Sequence, residues 1–150
     1  MPSLKRNGSH LLKNASHLVN ACGCDCCSGA PSTLTVDFGA GGLTDGTVAV
    51  CDAVVGDIVV TRTTGCTWIY VLDSFSAITL QIEHVGSDCN WYVLVSISDG
   101  GVAEQAVYRT TPEDIGTFDC TDLPATLSKE SENFGTYCTG SLPATIAVEV

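Results

Sequence analysis

The sequence predicts an all-β protein, an antiparallel β-sandwich or jelly roll preceded by an extended N-terminal arm. Three observations carry this. Apolar residues recur with period two from residue 31 onward, turn residues punctuate the chain about every ten positions, and no stretch of the body has the three-to-four spacing of an amphipathic helix. The composition agrees: 45% of residues are hydrophobic, only 15% are charged, and there are 15 glycines. That is too apolar for a disordered chain. At 150 residues one core suffices. The natural division is a basic, cysteine-rich arm over residues 1–30 and a β domain over residues 31–150.

The arm repeats every seven residues: Leu4-Lys-Arg-Asn-Gly-Ser-His10, then Leu11-Leu-Lys-Asn-Ala-Ser-His17, then Leu18-Val-Asn-Ala21. As a helix, it would align Leu11, Ala15, Leu18 and Cys22. As extended chain, it would place turns at Asn7-Gly8 and Asn14-Ala15. Asn-Gly-Ser and the histidines are poor helix formers, which favours the extended form. Leu4, Leu11, Leu12, Leu18 and Val19 expose apolar surface that a segment this short cannot bury in a core of its own, so the arm is expected to lie on another surface.

In the body, residues 33–38 alternate polar and apolar side chains and end at Gly39. Further strands are expected at 47–51, 57–63, 66–72, 77–84, 91–97, 102–109, 126–128 and 145–150. The intervening turns are Gly56-Asp57, Thr64-Gly65, Gly86-Ser87-Asp88 and Asp99-Gly100-Gly101. Crossover helices are missing, so the sheet is antiparallel. Two strands echo one another, Cys66-Thr-Trp-Ile-Tyr-Val-Leu72 and Cys89-Asn-Trp-Tyr-Val-Leu-Val95. Period two puts Trp68 and Tyr70 on one face, Trp91 and Val93 on one face of the other, with Ile97 following, and assigns them to the core.

Nine cysteines are an unusual density for a reducing compartment, and their odd number leaves at least one for a free thiol, a metal or another chain. Cys22, Cys24, Cys26 and Cys27 lie within six residues; Cys51, Cys66, Cys89, Cys120 and Cys138 are spread through the body. All nine are disulfide candidates. Zinc at the cluster, with His10 and His17 near, is the weaker reading because the Cys-x-Cys spacing lacks the Cys-x2-Cys knuckle. No metal or other cofactor is assigned. Asn7-Gly-Ser and Asn14-Ala-Ser fit the glycosylation pattern but fall inside the repeat.

Charge is polarised. Lys5, Arg6 and Lys13 give residues 1–21 a charge of +3 with no acid, while residues 22–150 carry all 17 acids against Arg62, Arg109 and Lys129, a balance of −14. An acidic body repels nucleic acid and anionic membranes, so neither is an expected partner. No apolar run approaches the length of a membrane-spanning helix, and polar residues interrupt any secretory core in the arm. Catalytic motifs are missing as well: there is no Gly-x-Ser-x-Gly, phosphate loop or His-Glu-x-x-His, and His84 is the lone histidine of the body. No enzymatic activity is expected.

The arm repeat, the Cys-Gly-Cys-Asp-Cys-Cys cluster, the Pro-Ser-Thr-Leu-Thr-Val strand, the paired Cys-x-Trp strands and the closing Leu-Pro-Ala-Thr-Ile-Ala-Val resemble small cysteine-rich uncharacterised proteins of bacteriophage structural gene clusters and environmental bacteria. The resemblance implies a β-rich virion component and supplies no catalytic residues. The expected function is thus a self-assembling structural subunit, a capsid decoration, tail or filament protein in a virion or extracellular assembly. Its partners are copies of itself and other virion or filament proteins. The alternative is an extracellular carbohydrate- or cell-surface-binding β-sandwich module; exposed Trp68 and Trp91 would favour it, buried ones the structural reading.

Overall fold

A computed structural model describes residues 30–85, 88–110 and 125–150, with the side chains of residues 83–89 excepted. Among the described residues there are ten strands and no α-helix. They are β1 (Thr33–Asp37), β2 (Leu43–Asp45), β3 (Asp57–Arg62), β4 (Thr67–Val71), β5 (Ala77–Val85), β6 (Asp88–Ile97), β7 (Glu104–Arg109), β8 (Ala125–Glu132), β9 (Cys138–Gly140) and β10 (Thr145–Glu149). Antiparallel pairing holds throughout. Eight strands close into a barrel in the order β1-β10-β8-β7-β6-β5-β4-β3, and β2 pairs with β9 as a separate small sheet.

The barrel replaces the expected sandwich or jelly roll. Leaving out β2 and β9, every strand neighbours its predecessor in the chain and β10 returns to β1, so the sheet is an up-and-down meander. From β3 to β7 the short connections dictate this, because a link of a few residues can only deliver the chain to the adjacent strand. Strand spacing reads alike for a sandwich and a barrel; only the closing pair, Val36 opposite Val148, distinguishes them.

Eight strands enclose an interior just wide enough for side chains to fill. Leu34, Val36, Val60, Trp68, Ile78, Leu80, Trp91, Val93, Val95, Ile97, Tyr108, Leu127 and Val148 all point inward and are buried. Each large one contributes about 1.5–3 kcal/mol through area removed from water. Tyr70, expected inside, is instead 42% exposed. Pairing between β3 and β4 covers only Thr61 opposite Ile69 and Arg62 opposite Trp68, so β3 has diverged before it reaches Tyr70.

The expected strand at 47–51 is not one. Cys51–Ala53 forms a single 3-10 turn, and the short strands are β2 before it and β9 far along the chain. The Asp45 carboxylate explains the difference: its Oδ1 accepts the backbone N–H of Cys51 at 2.9 Å and of Asp52 at 3.4 Å, curling residues 46–51 into a loop. Close approach of β2 and β9 depends on two glycines. Gly42 has φ +134° and Gly140 φ +101°, and a Cβ on either would sit about 2 Å from the facing carbonyl oxygen, 2.1 Å for Gly42 and 2.2 Å for Gly140. In the barrel wall, Val107 pairs with Ser131 and Tyr108 with Lys129, so Glu130 is bulged out of β8, where its carboxylate pairs with Arg109.

Candidate functional site

The two ends of the barrel differ in what covers them. One end carries β2, β9, the Cys51–Ala53 turn and the connections 72–76, 98–103 and 133–144. The other holds the entry at Ala30, the β3–β4 turn, the β5–β6 hairpin and the C-terminus of β10.

The first end is locked. Cys51 and Cys138 form a disulfide with Cα atoms 5.6 Å apart across 87 residues of sequence. Glu104, buried at the start of β7, accepts backbone N–H groups from Gly135 at 3.1 Å, Thr136 at 2.6 Å, Tyr137 at 3.0 Å and Cys138 at 3.3 Å. Burial alone would raise its pKa, but the four donors outweigh it and hold the carboxyl below its ordinary value. Glu132 behaves likewise: desolvation is outweighed by Lys129 Nζ at 2.6 Å, Ser141 Oγ at 2.5 Å and the Leu142 N–H at 2.7 Å. Lys129 also donates to the Leu142 carbonyl at 2.7 Å. From inside the barrel the Tyr108 hydroxyl donates to the Pro143 carbonyl at 2.7 Å, and burial pushes its phenol far above the usual range, with the Glu132 charge adding to the effect. Glu104 thereby fastens the backbone leading into β9, and Glu132, through Lys129, Ser141 and the Leu142 N–H, fastens the chain that leaves it.

The second end holds the entry of the described chain at Ala30. Arg62 donates from Nη1 to the Ala30 carbonyl at 3.1 Å and from Nε to the Gly65 carbonyl at 2.9 Å, and its backbone N–H meets the Ser32 carbonyl at 2.8 Å. Trp68 Nε1 donates to the Pro31 carbonyl at 3.0 Å. Residues 30–32 are thereby held at the barrel mouth. Trp68 and Trp91 stack beneath it with ring centroids 5.8 Å apart and planes tilted by 54°, and they are 0% and 1% exposed. Neither indole face is open to a sugar ring. Cys66, half-buried beside this entry, is disulfide-bonded to a cysteine outside the described side chains.

Of the other predicted cysteines, Cys22, Cys24, Cys26, Cys27 and Cys120 lie outside the described residues, as does the side chain of Cys89. The arm residues Leu4, Lys5, Arg6, Leu11, Leu12, Lys13, Leu18 and Val19 lie outside them too. Among the described residues no three His, Cys, Asp or Glu side chains gather as a metal site. Sequence reasoning missed the run of exposed apolar residues along β3 and β4. Val59 on β3 is 51% exposed, and Val71 beside Tyr70 on β4 is 67%. Elsewhere the outer face of the neighbouring strands presents Thr33, Thr35, Thr79, Gln81 and Ser96. Alternation alone cannot signal this, since an apolar residue on the outward parity reads as a strand buried on both faces.

Comparison of the chain with protein-family models, with curated proteins and with solved structures finds no match. The functional reading therefore rests on the residues and their geometry.

Proposed function

We propose that this protein is a structural, self-assembling subunit without catalytic activity, a component of a virion or extracellular filament whose basic arm docks on the acidic body of a neighbouring copy. The observation that carries the reading is the charge polarity, +3 over residues 1–21 against −14 over the remainder. Opposite charges on the two parts of one chain attract between copies and give every arm an equivalent partner. A small barrel closed on itself, fastened by carboxylates and a disulfide, is the rigid unit such an assembly repeats. The Cys51–Cys138 bond suits an oxidising setting outside the cell. The reading as a sugar-binding module loses its main support, because both indoles are core residues and Trp68 spends its N–H on Pro31.

The test is the particle size of the full chain against a chain lacking residues 1–20. The full chain is expected to assemble at low salt and to dissociate as salt screens the arm; the truncated chain is expected to fold and stay monomeric. Unchanged assembly after truncation, or a full chain that stays monomeric at high concentration and low salt, refutes the proposal.

A further inference from the structure

Between β3 and β4 the barrel wall has a seam where the ladder stops after two residue pairs and the rest of the two strand edges is left without one. On β3, Arg62 donates to Ser32, and Phe38 donates to Gly56 just ahead of the strand, so the even-numbered residues bond β1. On β4, Leu72 donates to Ser76 and Cys66 accepts from Ile82, so the even-numbered residues there bond β5. Asp57, Val59, Ile69 and Val71 therefore turn their backbone groups toward the seam. Yet register across it ends at Thr61 opposite Ile69, and beyond that point residues 57–60 and 70–71 have no partner strand across the seam among the described residues. The exposure of Tyr70, whose parity points inward, has the same origin. Unpaired backbone flanked by exposed Val59, Tyr70 and Val71 is the chemistry of strand addition.

We propose that this seam is the docking site for the arm of a second copy, which adds a short strand of its repeat along residues 57–60 and 70–71. The inference rests on the assembly reading above and names its surface. Length fits: four residues of β3 span about 13 Å, and the second and third arm repeats each supply one apolar pair, Leu11-Leu12 and Leu18-Val19, beside polar residues. Charge fits as well. Asp57 opens β3 and Asp73 follows β4 at the open end of the seam, and between residues 30 and 108 the sequence has no cation except Arg62, which sits at the closed end. The 29 residues that precede Ala30 provide ample chain to cross from one subunit to another. Backbone pairing supplies affinity, and the flanking valines with Tyr70 receive the leucines.

Val71→Pro in the full chain is the direct test. It deletes an N–H that faces the seam and leaves the β4–β5 ladder donors untouched. Assembly is expected to weaken about tenfold or more, with the far-ultraviolet spectrum unchanged. Should proline disturb folding, Val59→Arg places a cation against the basic arm at a side chain already in water and is expected to act the same way. Hydrogen exchange gives an independent reading: the amides of Val59 and Val71 are expected to be slow in the assembled full chain and fast once residues 1–20 are removed. Normal assembly in both variants, with arm deletion still abolishing it, overturns the seam while sparing the assembly reading. Slow exchange of these amides in a dilute monomer overturns it in favour of the chain's own arm. Assembly that survives arm deletion overturns the reading on which both stand.

Discussion

The locked end of the barrel and the arm end use the same kinds of residue to different effect. At the locked end, Glu104 is buried and Glu132 half-buried, and their oxygens accept bonds from the segment around β9, residues 135–142. At the arm end, Arg62 and Trp68 donate to two carbonyls of the incoming chain, Ala30 and Pro31, Arg62 also donates to Gly65 of its own turn, and the arginine remains partly in water. The lesson concerns where polar side chains stabilise a small barrel. A buried carboxylate that satisfies several backbone donors is costly to remove, because each donor then stays buried without a partner. An exposed guanidinium on a carbonyl is replaced by water at little cost. One end is thus built to persist, and the other to hold a chain entry that can be rearranged.

Glu104→Ala is expected to show the largest effect, a loss of about 3–5 kcal/mol in denaturant unfolding, because it removes a buried carboxylate on which four backbone donors converge. A loss under about 1 kcal/mol would mean that water reaches the Gly135–Cys138 backbone, and the contrast between the ends would fall. Next comes the disulfide. Cys51→Ser with Cys138→Ser is expected to cost about 2–5 kcal/mol and to loosen the β2–β9 sheet before the barrel, which slow-exchanging amides on β6 would report.

Acid sharpens the comparison further. Both Glu104 and Glu132 have native pKa values below their ordinary 4.5, so the unfolded chain binds protons first as the pH drops. The stability these two groups contribute is fully present above pH 4.5 and is lost as the pH falls from there through their lowered native values. Glu104→Gln is expected to lower stability at neutral pH and to flatten the acid limb of the stability curve. A mutant whose acid limb matches the parent's would show that other carboxylates control acid unfolding.

How much of this was legible in the sequence follows from what each feature depends on. Strands β1, β3, β4, β6 and β10 fall close to where alternation puts them, since a half-buried strand writes its own period into the chain. Trp68, Trp91, Val93 and Ile97 are inside for the same reason. The barrel was not legible, because closure is decided by the pairing of Val36 with Val148, residues more than a hundred positions apart. Nor were β2 and β9: three-residue strands carry too little pattern, and their pairing depends on Gly42 and Gly140 meeting face to face. Glu104 read as one more acid beside a turn. Its four donors come from residues 135–138, which nothing local connects to β7. The cysteines declared that a bridge exists without naming its ends, and the Val59–Val71 surface was hidden by an alternation that looks the same whether the outer face is covered or bare.

The smallest expected effect, and the finest test of the contrast, is Arg62→Met. The side chain keeps its stem on the barrel rim and loses the bonds to the Ala30 and Gly65 carbonyls, which water can replace. Stability is expected to fall by no more than about 1 kcal/mol, within the range of a partly exposed hydrogen-bonding group. The local consequence is larger than the global one. With Ala30 released, the Pro31 carbonyl has one fewer restraint above Trp68, and solvent gains access to the indole that is sealed in the parent. Tryptophan emission is therefore expected to shift to longer wavelength and become quenchable by iodide in Arg62→Met, while Glu132→Gln, at the other end, lowers stability more and leaves the emission unchanged. If Arg62→Met is as damaging to stability as the carboxylate variants, the arm end is a structural lock like its counterpart, and the division of labour between the two ends does not hold.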